Sequence, residues 1–259
     1  MSDRLPPIIS SDLPVLQNVR DPIPCKICGG SCALDGVVDF NKNGSEPNGV
    51  VLPLLGVPVY YHRCPDCGAV FTVAFDHWTQ QDFVRHIYNG GYTTVDPDHI
   101  EARPLANSRI VADFVIRAPG IRILDYGGGN GRLAQHLVAR GLNASSWDAM
   151  ATDQHKPLAG GFDLVTCFEV MEHTATPVET FAEILSFLTP EGVVLFSTLT
   201  IDKLPPRSLE FWYIAPRNGH ITIHTRRSLA ALAARFGKRL HHFSDGMHLC
   251  LTQPPAWLR

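Results

Sequence analysis

Apolar and polar positions alternate most regularly in the second half of the chain. Ile121 to Asp125 reads as a strand, Arg132 to Arg140 as a helix, and a short run ending near Trp147 as a strand. Phe162 to Phe168 (strand), Val178 to Leu188 (helix) and Gly192 to Leu199 (strand) continue the series. Strands that alternate with helices predict an α/β fold whose parallel sheet is covered on both faces. The helix at Val178 carries Phe181, Ile184, Leu185 and Leu188 on the same stripe, as a helix lying on a sheet needs. Its start, Thr176, Pro177 and Glu179, predicts a capping box. Further on, Ser228 to Phe236 reads as a helix stopped by Gly237. The runs Arg239 to Phe243 and Met247 to Thr252 flank Ser244-Asp245-Gly246, a hairpin signal.

The first hundred residues are patterned differently. Residues 1–20 hold Pro and Ser without periodicity and read as an extended arm. Residues 21–76 are rich in Gly, Pro and Asn, with short β-branched runs such as Val50-Val51-Leu52, and predict a few short strands joined by turns. Such a segment buries little core and needs another source of stability. A helical stretch from Trp78 to Tyr88 opens a connector over 77–104. The larger domain is expected over 105–259, starting with a helix over Ser108 to Arg117 that puts Ile110, Val111, Phe114 and Val115 on one face.

Composition adds limits. The 259 residues, 45% hydrophobic and 18% charged, fit one full α/β domain with an appendage. A net charge of −3 gives no general attraction to phosphate backbones, which counts against a nucleic-acid partner. No basic stretch followed by an apolar run opens the chain, and no apolar segment approaches the roughly 18 residues of a membrane span. A cytoplasmic location without membrane attachment is the expectation.

Seven cysteines make an odd count, and four of them form the pairs Cys25-Lys26-Ile27-Cys28 and Cys64-Pro65-Asp66-Cys67, each followed by glycine. In a reducing compartment such pairs point to metal before disulfides. Two intervening residues let both sulfurs face one ion, and four thiolates make a closed tetrahedral Zn²⁺ site, structural because no position stays open. Two separate redox dithiols would need a thioredoxin-like βαβ setting that the flanks lack. Cys32, Cys167 and Cys250 stand outside the pairs, and the last two read as buried apolar thiols.

The strand ending in Asp125 runs into Tyr126-Gly127-Gly128-Gly129-Asn130-Gly131 and then a helix. Glycines recur where a backbone must turn sharply and let a ligand approach closely. The spacing is Asp-x-Gly-x-Gly-x-Gly, and it resembles the first motif of class I S-adenosylmethionine-dependent methyltransferases. The resemblance extends through Phe162 to His173 and the final hairpin, over about residues 105–253. It implies a Rossmann-like, seven-stranded mixed sheet, preceded here by a small zinc-ribbon-like module. It further implies that Asp125, Gly127 and Gly129 seat S-adenosylmethionine, with S-adenosylhomocysteine as product, and that Asp148 accepts hydrogen bonds from the ribose hydroxyls. An acid about 20 residues past the glycines suits that role, and capping of a neighbouring turn is the alternative for Asp148. Asp153, Gln154 and Phe168 are the candidates for the adenine. Only 13 residues separate Asp148 from Phe162, few for a third strand with its helix.

A four-cysteine module ahead of such a domain resembles two groups. One is the sugar and natural-product methyltransferases with a Tyr-containing helical segment, here Phe83 to Tyr92, which would bring Tyr88 and Tyr92 near the substrate. The other is certain ribosomal RNA base methyltransferases. An Asp-Pro-Pro-Tyr motif is absent, and Thr166-Cys167 stands where cytosine-carbon enzymes carry Pro-Cys, which favours the first group. The implied reaction is methyl transfer to oxygen or carbon of a small polar acceptor, a sugar or nucleotide-linked sugar. A base-methylating RNA enzyme and a non-catalytic docking protein are the alternatives. Proton removal calls for His, Glu or Tyr near the strand ends: His220 first, His173 second, then Glu172 and Tyr213, with His224 close by. Helix capping is the alternative for Glu172 and His173. His241, His242 and His248 are expected to decorate the final hairpin.

Overall fold

The computed structural model describes residues 13–151, 156–157 and 159–258. The N-terminal part contains β1 (Ile23–Pro24), β2 (Ser31–Asp39), β3 (Pro58–Arg63) and β4 (Val70–Thr72), followed by α1 (Gln80–His86), α2 (Tyr92–Val95) and α3 (Ala102–Phe114). Next come β5 (Arg122–Tyr126), α4 (Arg132–Ala139), β6 (Asn143–Trp147), β7 (Phe162–Phe168), α5 (Pro177–Ser186) and β8 (Leu188–Ser197). The chain closes with β9 (Thr222–Ile223), α6 (Arg226–Ala234), β10 (Arg239–His242) and β11 (Met247–Leu251).

The alternating half forms a six-stranded sheet in the order β10-β11-β8-β7-β5-β6. β5 to β8 run parallel, and β11, paired with β8 and with β10, is antiparallel to both. β7 lies at the centre, and its Leu164-Val165-Thr166-Cys167-Phe168 is buried throughout, as a strand covered on both faces must be. The implied seven-stranded sheet is thus six-stranded among the described residues. β6 forms the edge because the 13-residue link from Asp148 to Phe162 is too short for another strand and its helix.

Other expectations are corrected locally. Thr176 makes no side-chain cap on α5; its N–H donates instead to Thr174 Oγ1, 3.1 Å away. Capping boxes occur at Thr79 with Asp82 and at Thr225 with Ser228. On α3, Val111 and Val115 are buried while Ile110 faces solvent, because the inward face follows the i, i+4 spacing. His248, expected on the surface, is fully buried, with Nε2 3.0 Å from the Thr198 carbonyl. Cys167 and Cys250 are buried.

The second sheet has the order β1-β2-β3-β4-β9, so its last strand comes from the C-terminal half. The turns of the cysteine pairs are gripped from the same half. Thr225 Oγ1 donates to the Cys67 carbonyl at 2.5 Å, Arg227 to that of Pro65 at 2.9 Å and Arg235 to that of Ile27 at 3.0 Å. One cluster of buried side chains runs from Ile27 and Phe71 through Leu229 to Val194 and Phe196. Full burial of each such side chain contributes about 1.5–3 kcal/mol. Among the described residues no helix is long and apolar enough to cross a membrane.

Candidate active site

A cleft of about 570 Å³ opens at the C-terminal ends of the parallel strands, where open α/β sheets bind ligands. The turn after β5 forms one end. Gly127 has φ 73°, a left-handed conformation that glycine adopts without strain. At Gly128 a Cβ would lie 2.1 Å from Ser146 Oγ and 2.3 Å from Asp125 Oδ2, so only a bare backbone passes there. Asp148 accepts from the N–H of Gly129 at 2.8 Å and of Met150 at 2.6 Å. A carboxylate is a pure acceptor with about four lone-pair sites, the chemistry that ribose hydroxyls need. Asp125 is buried, with Oδ1 bonded to Thr166 Oγ1 at 3.1 Å and Oδ2 without a hydrogen-bond partner. Burial raises its carboxyl to about 7; the Thr166 hydrogen bond opposes the rise and the charge of Asp148 adds to it. An orphaned carboxylate oxygen under a side-chain-free turn, with a second acceptor alongside, fits a ligand that brings an ammonium and a ribose.

Tyr88, Tyr92, Glu169 and His173 line the other end. Glu169 follows β7 with φ 54°, a conformation uncommon for non-glycine residues and recurrent at functional sites. Ser197 holds it there: Ser197 Oγ donates to Glu169 Oε1 at 2.6 Å and accepts from the Glu169 N–H at 2.9 Å. Burial and the neighbouring Glu172 raise the Glu169 carboxyl. His173 Nδ1 lies 3.1 Å from the Tyr88 hydroxyl. Burial lowers its imidazole, so it is neutral at neutral pH. Arg103 closes the wall with a bidentate pair to Asp96 at 2.9 and 2.6 Å.

Of the residues singled out in the sequence, Asp125, Gly127, Gly129, Asp148, Phe168 and His173 line the cleft. Glu172, Tyr213 and His220 are gathered directly behind His173. The Tyr213 hydroxyl donates to Glu172 Oε1 at 2.7 Å, and the rings of His220 and His173 meet edge to face at 4.9 Å. His220 is 6% exposed, and burial followed by the neighbouring His173 lowers its imidazole to about 3. This first-choice base therefore lies beneath the cleft wall. His224 is buried with Nε2 3.2 Å from the Met171 carbonyl, outside the cleft lining. Asp153 and Gln154 lie outside the described residues. Sequence reasoning passed over Glu169, although it is the first acid after the central strand and so marks the place where ligands bind.

The four paired cysteines converge. Cys25 and Cys67 Sγ are 3.6 Å apart, Cys28 and Cys64 Sγ 3.4 Å, and all four lie within 4.8 Å of one another. Bonds of about 2.3 Å in a tetrahedron place sulfurs roughly 3.8 Å apart, so the set fits Zn²⁺. The N–H groups of Ile27 and Cys67 point at Cys25 and Cys64 Sγ, each at 3.4 Å. The Cys67 hydrogen bond pulls the Cys25 thiol down to about 4.

With this geometry in place, comparison with known proteins is informative. The family described as "Methyltransferase domain" matches residues 99–242, more than half of the chain. The chain belongs to this family, and its fold is that of class I S-adenosylmethionine-dependent methyltransferases. Among curated relatives, the ubiquinone biosynthesis O-methyltransferase of Aromatoleum aromaticum is 30% identical over 114 residues, 34% of this chain and 49% of that protein. The enzyme of the same name from Psychrobacter cryohalolentis is 31% identical over 106 residues, covering 31% and 41%. The chain thus spans about half the length of the curated relatives it matches. An O-methyltransferase family protein from Burkholderia thailandensis superposes with a TM-score of 0.53 at 16% identity, over 69% of this chain and 64% of that one, a likeness of fold. The family match begins at residue 99 and so leaves the cysteine pairs outside it.

Proposed function

We propose that this methyltransferase transfers a methyl group from S-adenosylmethionine to an oxygen of a small polar acceptor. One observation carries the reading: a single cleft has the glycine turn with Asp125 and Asp148 at one end, and Glu169, His173 and Tyr88 at the other. The relatives' names point to oxygen as the acceptor atom. The Tyr88 and Tyr92 segment and the four-cysteine module favour a sugar-like molecule. The cleft's size is that of small-molecule sites. S-adenosylmethionine, when bound, supplies a sulfonium methyl whose departure leaves a neutral thioether. Asp148 would hold the ribose and Asp125 the ammonium. Glu169 and His173 are the groups able to take the acceptor's proton as the oxygen–carbon bond forms, a contribution of about 10²- to 10⁴-fold. Cys25, Cys28, Cys64 and Cys67 would hold a structural Zn²⁺.

The test is titration calorimetry with S-adenosylhomocysteine, followed by methyl transfer to a panel of sugars, sugar nucleotides and phenols. Binding that weakens about 10- to 100-fold in Asp148→Ala is expected, the cost of losing a charge-assisted hydrogen bond. No heat from the wild-type protein would end the reading. Methylation of RNA with none of the small acceptors modified would replace the acceptor class.

A further inference from the structure

Behind the acceptor end lies a cluster that proton removal alone does not require. Glu172, His173 and His220 each present a ligand atom, and the three atoms lie within 4.8 Å of one another. Glu172 is fully buried, and its Oε2 has no hydrogen-bond partner. A buried carboxylate oxygen with no donor costs free energy unless something positive meets it. The other atoms of the trio are anchored. His220 Nδ1 faces the Tyr213 carbonyl at 2.7 Å, His173 Nδ1 the Tyr88 hydroxyl at 3.1 Å, and Glu172 Oε1 accepts from the Tyr213 hydroxyl at 2.7 Å. With both Nδ1 atoms engaged, the Nε2 atoms are left as the ligating nitrogens. Metal-binding histidines show this pattern of outer support.

We propose that Glu172, His173 and His220 bind one divalent transition-metal ion in the wall behind the acceptor end of the cleft, distinct from the four-thiolate site. Two imidazoles and one carboxylate suit Mn²⁺, Fe²⁺, Co²⁺ or Zn²⁺, and bonds of roughly 2.0–2.2 Å place donors up to about 4 Å apart across an ion. The set needs only a small contraction to close on one. Three protein ligands leave positions open. His173 lines the cleft while Glu172 and His220 lie behind it, so the ion would sit in the cleft wall, with the His173 ring between it and the acceptor. The proposal rests on the reading of this end as the acceptor end. It makes His173 a ligand and leaves Glu169, held at φ 54° beside the cluster, as the proton acceptor. The backbone that carries the trio is held from a distance: the Tyr61 hydroxyl donates to the His220 carbonyl at 2.6 Å, and the Ile221 N–H to that of Glu172 at 2.7 Å.

The test uses the whole 259-residue chain with its thiolate site loaded with zinc. Mn²⁺ is added and followed by electron paramagnetic resonance, since the free ion gives a strong signal that protein binding broadens. One bound equivalent per chain is expected, with affinity at least tenfold weaker in Glu172→Gln and in His220→Ala. Co²⁺ added to wild-type protein reads the donors without any variant. Weak d–d bands without thiolate-to-metal absorption are expected. No bound Mn²⁺, binding equal in wild type and variants, or cobalt spectra dominated by thiolate would each overturn the proposal. S-adenosylhomocysteine titrated into the same samples separates the outcomes, because intact cofactor binding with no second ion sinks this site alone.

Discussion

The two ends of the cleft are built by different means. The cofactor end comes from one continuous stretch, Asp125 to Asp148, in which a strand, a glycine turn and a helix follow in order. Its shape is set locally, by glycines where side chains would collide. The acceptor end draws on Tyr88, on Glu169 to His173 and on Tyr213 to His220, joined by contacts such as Tyr88 to His173 and Tyr61 to His220. The Tyr61 contact holds only if the cysteine-bearing sheet is folded against the main domain, because Tyr61 lies on β3 and β9 closes the same sheet. One end is thus a property of a motif and the other of the whole topology, so damage to the N-terminal sheet should fall mainly on the second.

The strongest way to break this contrast is to remove the metal proposed for the cysteines. Structural zinc sites contribute on the order of 10 kcal/mol of apparent binding free energy, which is folding free energy in small modules. Cys64→Ser is expected to abolish the zinc of the thiolate site and to lower the melting temperature by about 10 °C or more. Affinity for S-adenosylhomocysteine should change far less. Elemental analysis, calorimetric melting and ligand titration check the three parts. Equal loss at both ends would show that the cofactor end is not locally built. Next in size is His173→Ala. It should lower turnover about 10²- to 10⁴-fold, whether the ring takes the acceptor's proton or holds the proposed ion, while leaving S-adenosylhomocysteine affinity within about threefold of wild type. A matching fall in both would place His173 in cofactor binding and erase the division.

The same division explains what could be read from the sequence. Period and turn chemistry located β5, α4, β7 and the final hairpin to within a few residues, and the spacing after Asp125 marked the cofactor turn. Cys25, Cys28, Cys64 and Cys67 were legible as a group because two pairs declare their geometry. The acceptor end was only half legible. His220 and Tyr213 read as base candidates in a substrate-binding segment, and their burial behind His173 is visible only once β9 has joined the other sheet. Glu169 was legible only by its place as the first acid after β7; nothing in Phe168-Glu169-Val170 announces its positive φ. The Thr176 box failed because Thr174 Oγ1, two residues earlier, takes the N–H that Glu179 would have received.

A smaller effect sharpens the account of the cofactor end. Gly128→Ala would push a methyl group to within 2.1 Å of Ser146 Oγ and 2.3 Å of Asp125 Oδ2, so the turn must lift toward the ligand. Such overpacking costs about 1–3 kcal/mol, which corresponds to roughly 10- to 100-fold in S-adenosylhomocysteine affinity if borne by the bound state. The part borne by the ligand-free fold lowers the melting temperature, and the acceptor-end metal titration should not move at all. An alanine variant that binds as well as wild type would show that close backbone approach at this position is not what seats the ligand.

The smallest effect is a pH dependence, and it tests which group meets the ammonium. Burial raises the Asp125 carboxyl to about 7, above the value of about 3.9 for an unfolded aspartate. The ligand-free folded chain therefore keeps a proton that the unfolded chain has released. The associated stability is fully present below about pH 4 and is lost as pH climbs through 7. Binding runs the other way. An ammonium beside Asp125 favours the carboxylate and expels that proton, so affinity for S-adenosylhomocysteine should rise between pH 6 and 7.5, by less than tenfold per unit, and then level off. Asp125→Asn should bind more weakly and show a flat profile over that interval. A flat profile in the wild-type protein would move the ammonium away from Asp125 and leave Asp148 as the carboxylate that governs recognition of the cofactor.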